Sequence, residues 1–380
     1  MNRVVKELKN YTSLYEIHKL YYDNIGVALL DSSMVNDLGK YSILGIDPYL
    51  TVKEIEGKLY INDVPSDEQF EVFLENYLKE NYQENNTGLP IIGGGIGYLS
   101  YEYGKKFEKI KSENIPTARV WDAVFYFYKH FIIEDRHLKK IYIIGDAIEE
   151  IENIEKEIEA IRIFKKDIDK SGFLSDNYIG QKGCIKENSV SAKGFDNKYI
   201  EDIVEKEKYI EKIRKLQEYI KEGHVYVANL TKTFVIKSNK KPYSVFCDLR
   251  RNNPSPFGAY INYGDFQIIS SSPERFINIE DNKIETRPIK GTRKRGNNQE
   301  EDDMLIEELK NSEKEKSELV MVVDLERNDL NHICNRAGVE VTDLFKIETY
   351  ATVHHLVAEI KGRLKDNWRF DEVMEAVFPG

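Results

Sequence analysis

Apolar residues in this chain recur with two periods, and the two do not alternate regularly. Period-two runs, the spacing of strands, occupy 27–31, 41–46 and a hairpin over 50–61 about Glu56-Gly57. They also fill a long aromatic hairpin, 120–133 with 138–144, turning near Asp135-Arg136. Helical spacing appears in Phe70, Phe73, Leu74, Tyr77 and Leu78, which predicts an amphipathic helix over 67–82. It returns in Ile151, Ile154, Ile158 and Ile161. Without a strand–helix–strand rhythm, the pattern points to an α+β fold rather than a parallel doubly wound sheet.

Residues 166–197 lose periodicity and gain Gly, Ser, Asn, Asp and Lys, which predicts a linker between segments 1–165 and 198–380. Beyond it, Tyr209, Ile213, Leu216 and Ile220 form a helical stripe stopped by Gly223. A strand over 225–235, a short helix near 243–250 and the turn Asn253-Pro254-Ser255-Pro256 are expected next. Ser312 and Glu315 make a capping box for a helix over 312–330. With 380 residues, 41% of them hydrophobic, and 24 Tyr and 17 Phe, the chain can bury a sizeable core.

The net charge of −11 argues against a general nucleic-acid binder, because counterion release needs a basic surface. No apolar run approaches the ~20 residues of a membrane span, and the charged N-terminus does not read as a secretion signal. Cys184, Cys247 and Cys334 lie far apart without a C-x-x-C pair and read as reduced cysteines. A soluble, cytoplasmic protein that binds neither nucleic acid nor membrane is expected.

Against this acidic background, 268–296 stands out. Residues 268–272 and 275–280 alternate like strands, Asp281-Asn282 are turn formers, and 283–289 alternates again. Arg287, Lys290, Arg293, Lys294 and Arg295 then place five cations within nine residues. Upstream, Glu274 follows Pro273 and reads as buried. A lysine crowded by cations loses its proton more readily, and a neutral amine attacks carbon where an ammonium cannot. Gly291 and Thr292 offer two backbone N–H groups and a hydroxyl to a carboxylate. A solvated basic turn is the competing reading of the same residues.

Other polar groups carry weaker signals. Glu315 and Glu318, three apart on the predicted helix, share a face and suit a hard divalent cation, although such pairs are common on surface helices. Asp324, Arg327, Asn328 and Asp329 read as a polar helix end that pairs with itself. His354 and His355, in a strand, point to opposite faces, so at most one reaches a given site. His224 reads as a helix cap. Gly93-Gly94-Gly95-Ile96-Gly97 lacks the Lys-Ser/Thr and the helix of a phosphate loop and reads as a tightly packed strand.

Taken in order, ALLDSS (28–33), YSILGIDPY (41–49), GGGIGYLSYEYG (93–104), GHVYVANLT (223–231), NPSPFGAYI (253–261), SSPERF (271–276), RPIKGTRKRG (287–296), EKSELVMVVDLERND (315–329), VHHLV (353–357) and FPG (378–380) resemble the chorismate-utilising enzymes. That group includes component I of aminodeoxychorismate synthase and of anthranilate synthase, and the resemblance spans essentially the whole chain. Anthranilate synthases carry alanine in P-I-A-G-T. Lys290 matches the aminodeoxychorismate branch, as do Asn229 and FGAY at 257–260.

The resemblance implies two similar sheet-and-helix halves packed face to face, with the chorismate cleft mostly in the second. It implies that Lys290 is a nucleophile and Glu274 a general acid, with Gly291, Thr292 and His355 holding substrate. Glu318 aligns with a Mg²⁺ ligand and Glu315 with its acidic neighbour. Ammonia is expected from a glutamine amidotransferase subunit. Leu30 and Ser32 match the wall of a tryptophan pocket in relatives. The family continues beyond FPG as G-S-I-T-G-A-P-K, so a C-terminally truncated chain of low activity is expected.

Overall fold

The computed structural model describes residues 3–108, 120–171, 200–202 and 206–378. The first part contains β1 (Val4–Glu7), α1 (Leu14–His18), β2 (Ala28–Asp31), β3 (Tyr41–Ile55), β4 (Lys58–Ile61), β5 (Val64–Ser66), α2 (Phe70–Glu80), β6 (Gly95–Leu99), α3 (Lys105–Glu108), β7 (Ala123–Asp135), β8 (Lys140–Gly145) and α4 (Ile148–Ser171). Next come β9 (Ile200–Asp202), α5 (Lys206–Lys221), β10 (Phe234–Ile236), α6 (Pro242–Asn252), β11 (Phe257–Asn262) and β12 (Gln267–Ser272). The last part holds β13 (Arg275–Glu280), β14 (Lys283–Arg287), β15 (Ile289–Lys294), α7 (Gln299–Asn311), α8 (Glu313–Ile333), β16 (Cys334–Thr349), β17 (Val353–Leu364) and α9 (Phe370–Val377).

Two main sheets form, as an α+β fold requires. A ten-stranded sheet runs β1-β8-β7-β3-β2-β11-β12, with β4, β5 and β6 attached, and a five-stranded sheet runs β13-β14-β17-β15 with β16 on β17. β11 pairs with β2, so the larger sheet draws strands from both sides of the expected linker. Of that linker, α4 occupies the start to Ser171, and 172–197 lies outside the described residues.

The predicted hairpins follow their turn chemistry. Asp281 and Asn282 both adopt positive φ, 50° and 59°, the primed turn that matches strand twist. At Gly97 a Cβ would lie 1.8 Å from the Val124 carbonyl oxygen, so β6 packs against β7 as closely as its glycines suggested. One apolar cluster joins the sheets: Val52 and Phe127 of the larger, Phe70 and Leu74 of α2, Met374 of α9, Leu319 and Val323 of α8, and Leu356 and Ile360 of the smaller.

Two expectations fail. The α5 stripe is not buried: Ile220 is 44% exposed and no α5 residue is buried. The strand expected at 225–235 reduces to β10, which among the described residues pairs with the short β9. A strand needs a neighbour, and no described strand lies beside 225–233. Cys334 is a free, buried thiol, and Cys184 lies outside the described residues. No described helix is long and apolar enough to cross a membrane.

Candidate active site

β14 and β15 follow one another along one edge of β17, separated by Pro288. Ile289 opposes Val357 and Lys290 opposes Leu356; the register then slips, and Thr292 opposes His355. Gly291 is the extra residue, at φ +71°, a bulge whose inserted position is left-handed and therefore glycine. Directly opposed residues share a face. Lys290 therefore lies on the face of Leu356, which packs with α8 residues, and Thr292 on the face of His355.

The bulge is pinned from above. A Cβ at Gly291 would lie 3.0 Å from Glu315 Cβ and 3.0 Å from Leu309 Cδ1, so the helices sit directly on the strand. On the other face, Thr292 Oγ1 and His355 Nδ1 are 3.0 Å apart. Burial holds the His355 imidazole below its ordinary pKa, opposed by a backbone hydrogen bond at Gly291 and the Glu274 charge. His354, on the opposite face, is fully buried between Asp302 (2.9 Å) and Thr349 (2.9 Å) and serves the core.

Glu274 corrects an expectation. It is exposed, not buried, because it lies where the chain crosses from β12 in one sheet to β13 in the other. Its Oε1 accepts a hydrogen bond from the Ile289 N–H at 3.0 Å, which ties it to the residue preceding Lys290.

The cation crowding is also largely cancelled. Arg287 pairs with Glu348 and Glu359, Arg293 with Glu308 (2.8 Å) and Glu315 (3.2 Å), Lys294 with Glu301 (3.5 Å) and Arg295 with Asp302 (2.7 Å). Among the described residues Lys290, half-buried, has no carboxylate within ion-pair distance. The stretch is thus neither a solvated turn nor a cationic cluster; it is a paired strand with one free amine.

Glu315 and Glu318 share a face of α8 as expected, and Glu318 also lies 3.6 Å from Lys314. Among the described residues no three His, Cys, Asp or Glu side chains gather to hold a metal ion. Two carboxylates one helical turn apart are nevertheless a donor set of the kind Mg²⁺ takes, one or two protein carboxylates together with substrate oxygens. Around ALLDSS, Leu30 is exposed on β2, while the buried Ser32 Oγ lies 2.7 Å from the Tyr41 carbonyl and 2.8 Å from that of Pro256. That hydroxyl is committed to the backbone. Nearby Asp31 Oδ1, Ser255 Oγ and Tyr243 Oη are buried without hydrogen-bond partners among the described residues.

One acidic residue escaped the sequence reading. Glu326, on α8, accepts a hydrogen bond from Thr286 Oγ1 of β14 at 3.0 Å. Burial pushes its carboxyl up to about 7; Thr286 and Lys290 oppose the shift, and Glu274 and Asp329 add to it. Its position eleven after Glu315, three helical turns, was the available signal.

The family model described as chorismate binding enzyme matches residues 34–380, and the chain belongs to that family of chorismate-utilising enzymes. Aminodeoxychorismate synthase component 1 of Bacillus subtilis (strain 168) is 31% identical over 354 residues, covering 90% of this chain and 71% of that protein. Anthranilate synthase component 1 of the same organism is 30% identical over 352 residues, covering 90% and 67%. The crystal structure of anthranilate synthase component I from Streptococcus pneumoniae TIGR4 shares the fold, with a TM-score of 0.74 at 24% identity, over 91% of this chain and 74% of that one.

Proposed function

We propose that this protein is component I of an aminodeoxychorismate synthase, which replaces the C4 hydroxyl of chorismate by an amino group. The observation that carries the reading is Lys290, the amine in the 287–295 run left without a carboxylate while its neighbours are paired. An anthranilate route needs no lysine there.

In this reading the Lys290 amine forms a bond to ring carbon C2 while the C4–oxygen bond breaks and the double bond shifts. Glu274 gives its proton to the departing hydroxyl, which leaves as water. Ammonia then bonds to C4, the double bond shifts back, and Lys290 leaves C2. The N–H groups of Gly291 and Thr292 and the Thr292 hydroxyl hold a substrate carboxylate, with His355 beside it. Mg²⁺ held by Glu315 and Glu318 would supply positive charge to the substrate's oxygens. A glutamine amidotransferase subunit is the proposed source of ammonia.

The test is product analysis with chorismate, Mg²⁺ and ammonia. Aminodeoxychorismate without pyruvate is expected, and Lys290→Ala should abolish it. Anthranilate synthesis is the second reading, favoured by the similarity to relatives of that name. Release of pyruvate with a blue-fluorescent product would establish it instead.

A further inference from the structure

His130 lies on β7 opposite Ile46 of β3, and its ring is buried although it can carry a charge. β8 packs close beside it: a Cβ at Gly145 would lie 2.7 Å from the ring carbon Cδ2 and 3.2 Å from Ile151 of α4. Each ring nitrogen meets a carboxylate. Nδ1 is 2.8 Å from Asp47 of β3, and Nε2 is 3.0 Å from Glu150 in the first turn of α4. The imidazole thus joins a strand of the larger sheet to the start of the helix packed on it.

The two carboxylates differ in their freedom. Asp47 has a short side chain on a left-handed backbone, φ 56°. Glu150 has a longer one, on a turn whose residues 148–150 are exposed. Ala147, just before α4, has no side-chain oxygen to cap the helix. Among the described residues the His130 bond is therefore the polar tie between residues 148–150 and the sheet. The charged groups that face the ring are Asp47 from β3 and Glu150 from α4; β8 presents the uncharged Gly145, and Asp146 beyond it is paired with Arg3 at 2.9 Å. Lys129, next to His130 on β7, acts on Asp47, and the Tyr21 hydroxyl bonds Glu157 of α4 at 2.8 Å.

We propose that His130 is a pH-sensitive latch for the first turn of α4, closed while the imidazolium donates to both Asp47 and Glu150 and open once the ring is neutral. A neutral imidazole has one N–H, so its other nitrogen turns a lone pair toward a carboxylate. The ring keeps Asp47, which the backbone holds, and Glu150 swings into water. The Asp47 and Glu150 side chains are already 59% and 49% exposed, so opening strands no buried charge. Burial opposes the charged ring, but the two carboxylates outweigh it and hold its pKa above the ordinary value, while the same bond holds Asp47 below its own. The latch is therefore fully closed below the ordinary histidine value, about 6.5, and is lost as pH rises through the raised one. Ile151, Ile154 and Ile158 stay in the core at either pH, which confines the opening to the turn.

The experiment is amide hydrogen exchange on the full chain from pH 6 to 9, corrected for intrinsic rates and read on peptides covering 146–155. An NMR titration of the histidine rings accompanies it, with the His130 resonance assigned by its loss in His130→Gln. In the wild type that resonance should titrate above 6.5, and protection of the turn should fall about 2- to 5-fold over the same pH range, the worth of a partly exposed ion pair. Glu150→Gln should abolish the fall, because an amide can accept from the charged ring or donate to the neutral one. A His130 resonance at or below 6.5, or wild-type protection that stays constant from pH 6 to 9, would overturn the proposal. So would a Glu150→Gln protein whose turn still loosens across that range.

Discussion

Gly291 and Glu315 hold each other in place: the glycine's left-handed backbone brings β15 so close to α8 that a methyl group would sit 3.2 Å from the Glu315 carboxylate. Gly291→Ala should therefore destabilise the protein by about 2 kcal/mol or more, from left-handed strain together with displacement of the helix. A shift of the urea midpoint checks this. An unchanged midpoint would mean that α8 can move away freely.

Arg287 is buried and bridges Glu348 and Glu359 across β14, β16 and β17. Burial alone would raise the Glu359 carboxyl, but Lys361, Thr342 and Arg287 outweigh it and hold it down at about 2. That stabilisation is present above the unfolded value and is lost as pH falls toward 2. Arg287→Leu should cost about 2–3 kcal/mol at neutral pH, because Glu348 and Glu359 lose a buried cation while Glu359 keeps Lys361 and Thr342 and Glu348 keeps Tyr350. It should also move acid unfolding to higher pH, read by circular dichroism. A variant as stable as the parent would mean that the pair is solvated.

How far the sequence reaches is visible in particular residues. Asp281-Asn282 announced its turn, and the His354–His355 alternation correctly sent one ring inward, because both are local properties of the backbone. Alternation says which face a residue takes but not which sheet its strand joins. Hence the crossing at Glu274, between β12 and β13, was invisible and its carboxylate was misread as buried. The α5 stripe had helical spacing, but spacing does not provide something to pack against. Nothing in the sequence singles out Glu326; only the position of α8 over β14 separates it from the exposed Asp324 and Arg327.

His18 is fully buried among Tyr243, Phe246 and Tyr260, with neither ring nitrogen bonded among the described residues. Burial lowers its pKa to about 3. The unfolded chain binds that proton from about 6.5 downward while the folded protein refuses it, so stability should fall as pH drops from 6.5 toward 3. At pH 5 the loss from this residue is about 2 kcal/mol. His18→Phe should flatten that part of the stability–pH curve. A parallel curve for parent and variant would contradict the assignment.

Thr292 bonds His355, two residues beyond Lys290 on β15, and is the proposed anchor for a substrate carboxylate. Thr292→Val should weaken chorismate binding about 10-fold or more, the worth of a hydrogen bond to a charged group, while Thr292→Ser retains it. Isothermal titration calorimetry with chorismate measures both. Equal affinity in the valine variant would remove Thr292 from the site.

The role of Lys290 as nucleophile is tested most directly by intact-protein mass spectrometry after incubation with chorismate and Mg²⁺ in the absence of ammonia. The expected result is an adduct of chorismate less one water, mapping to the peptide that contains Lys290 and absent from Lys290→Ala. Aminodeoxychorismate formed at the parental rate by Lys290→Ala, with no adduct on the parent, would contradict it.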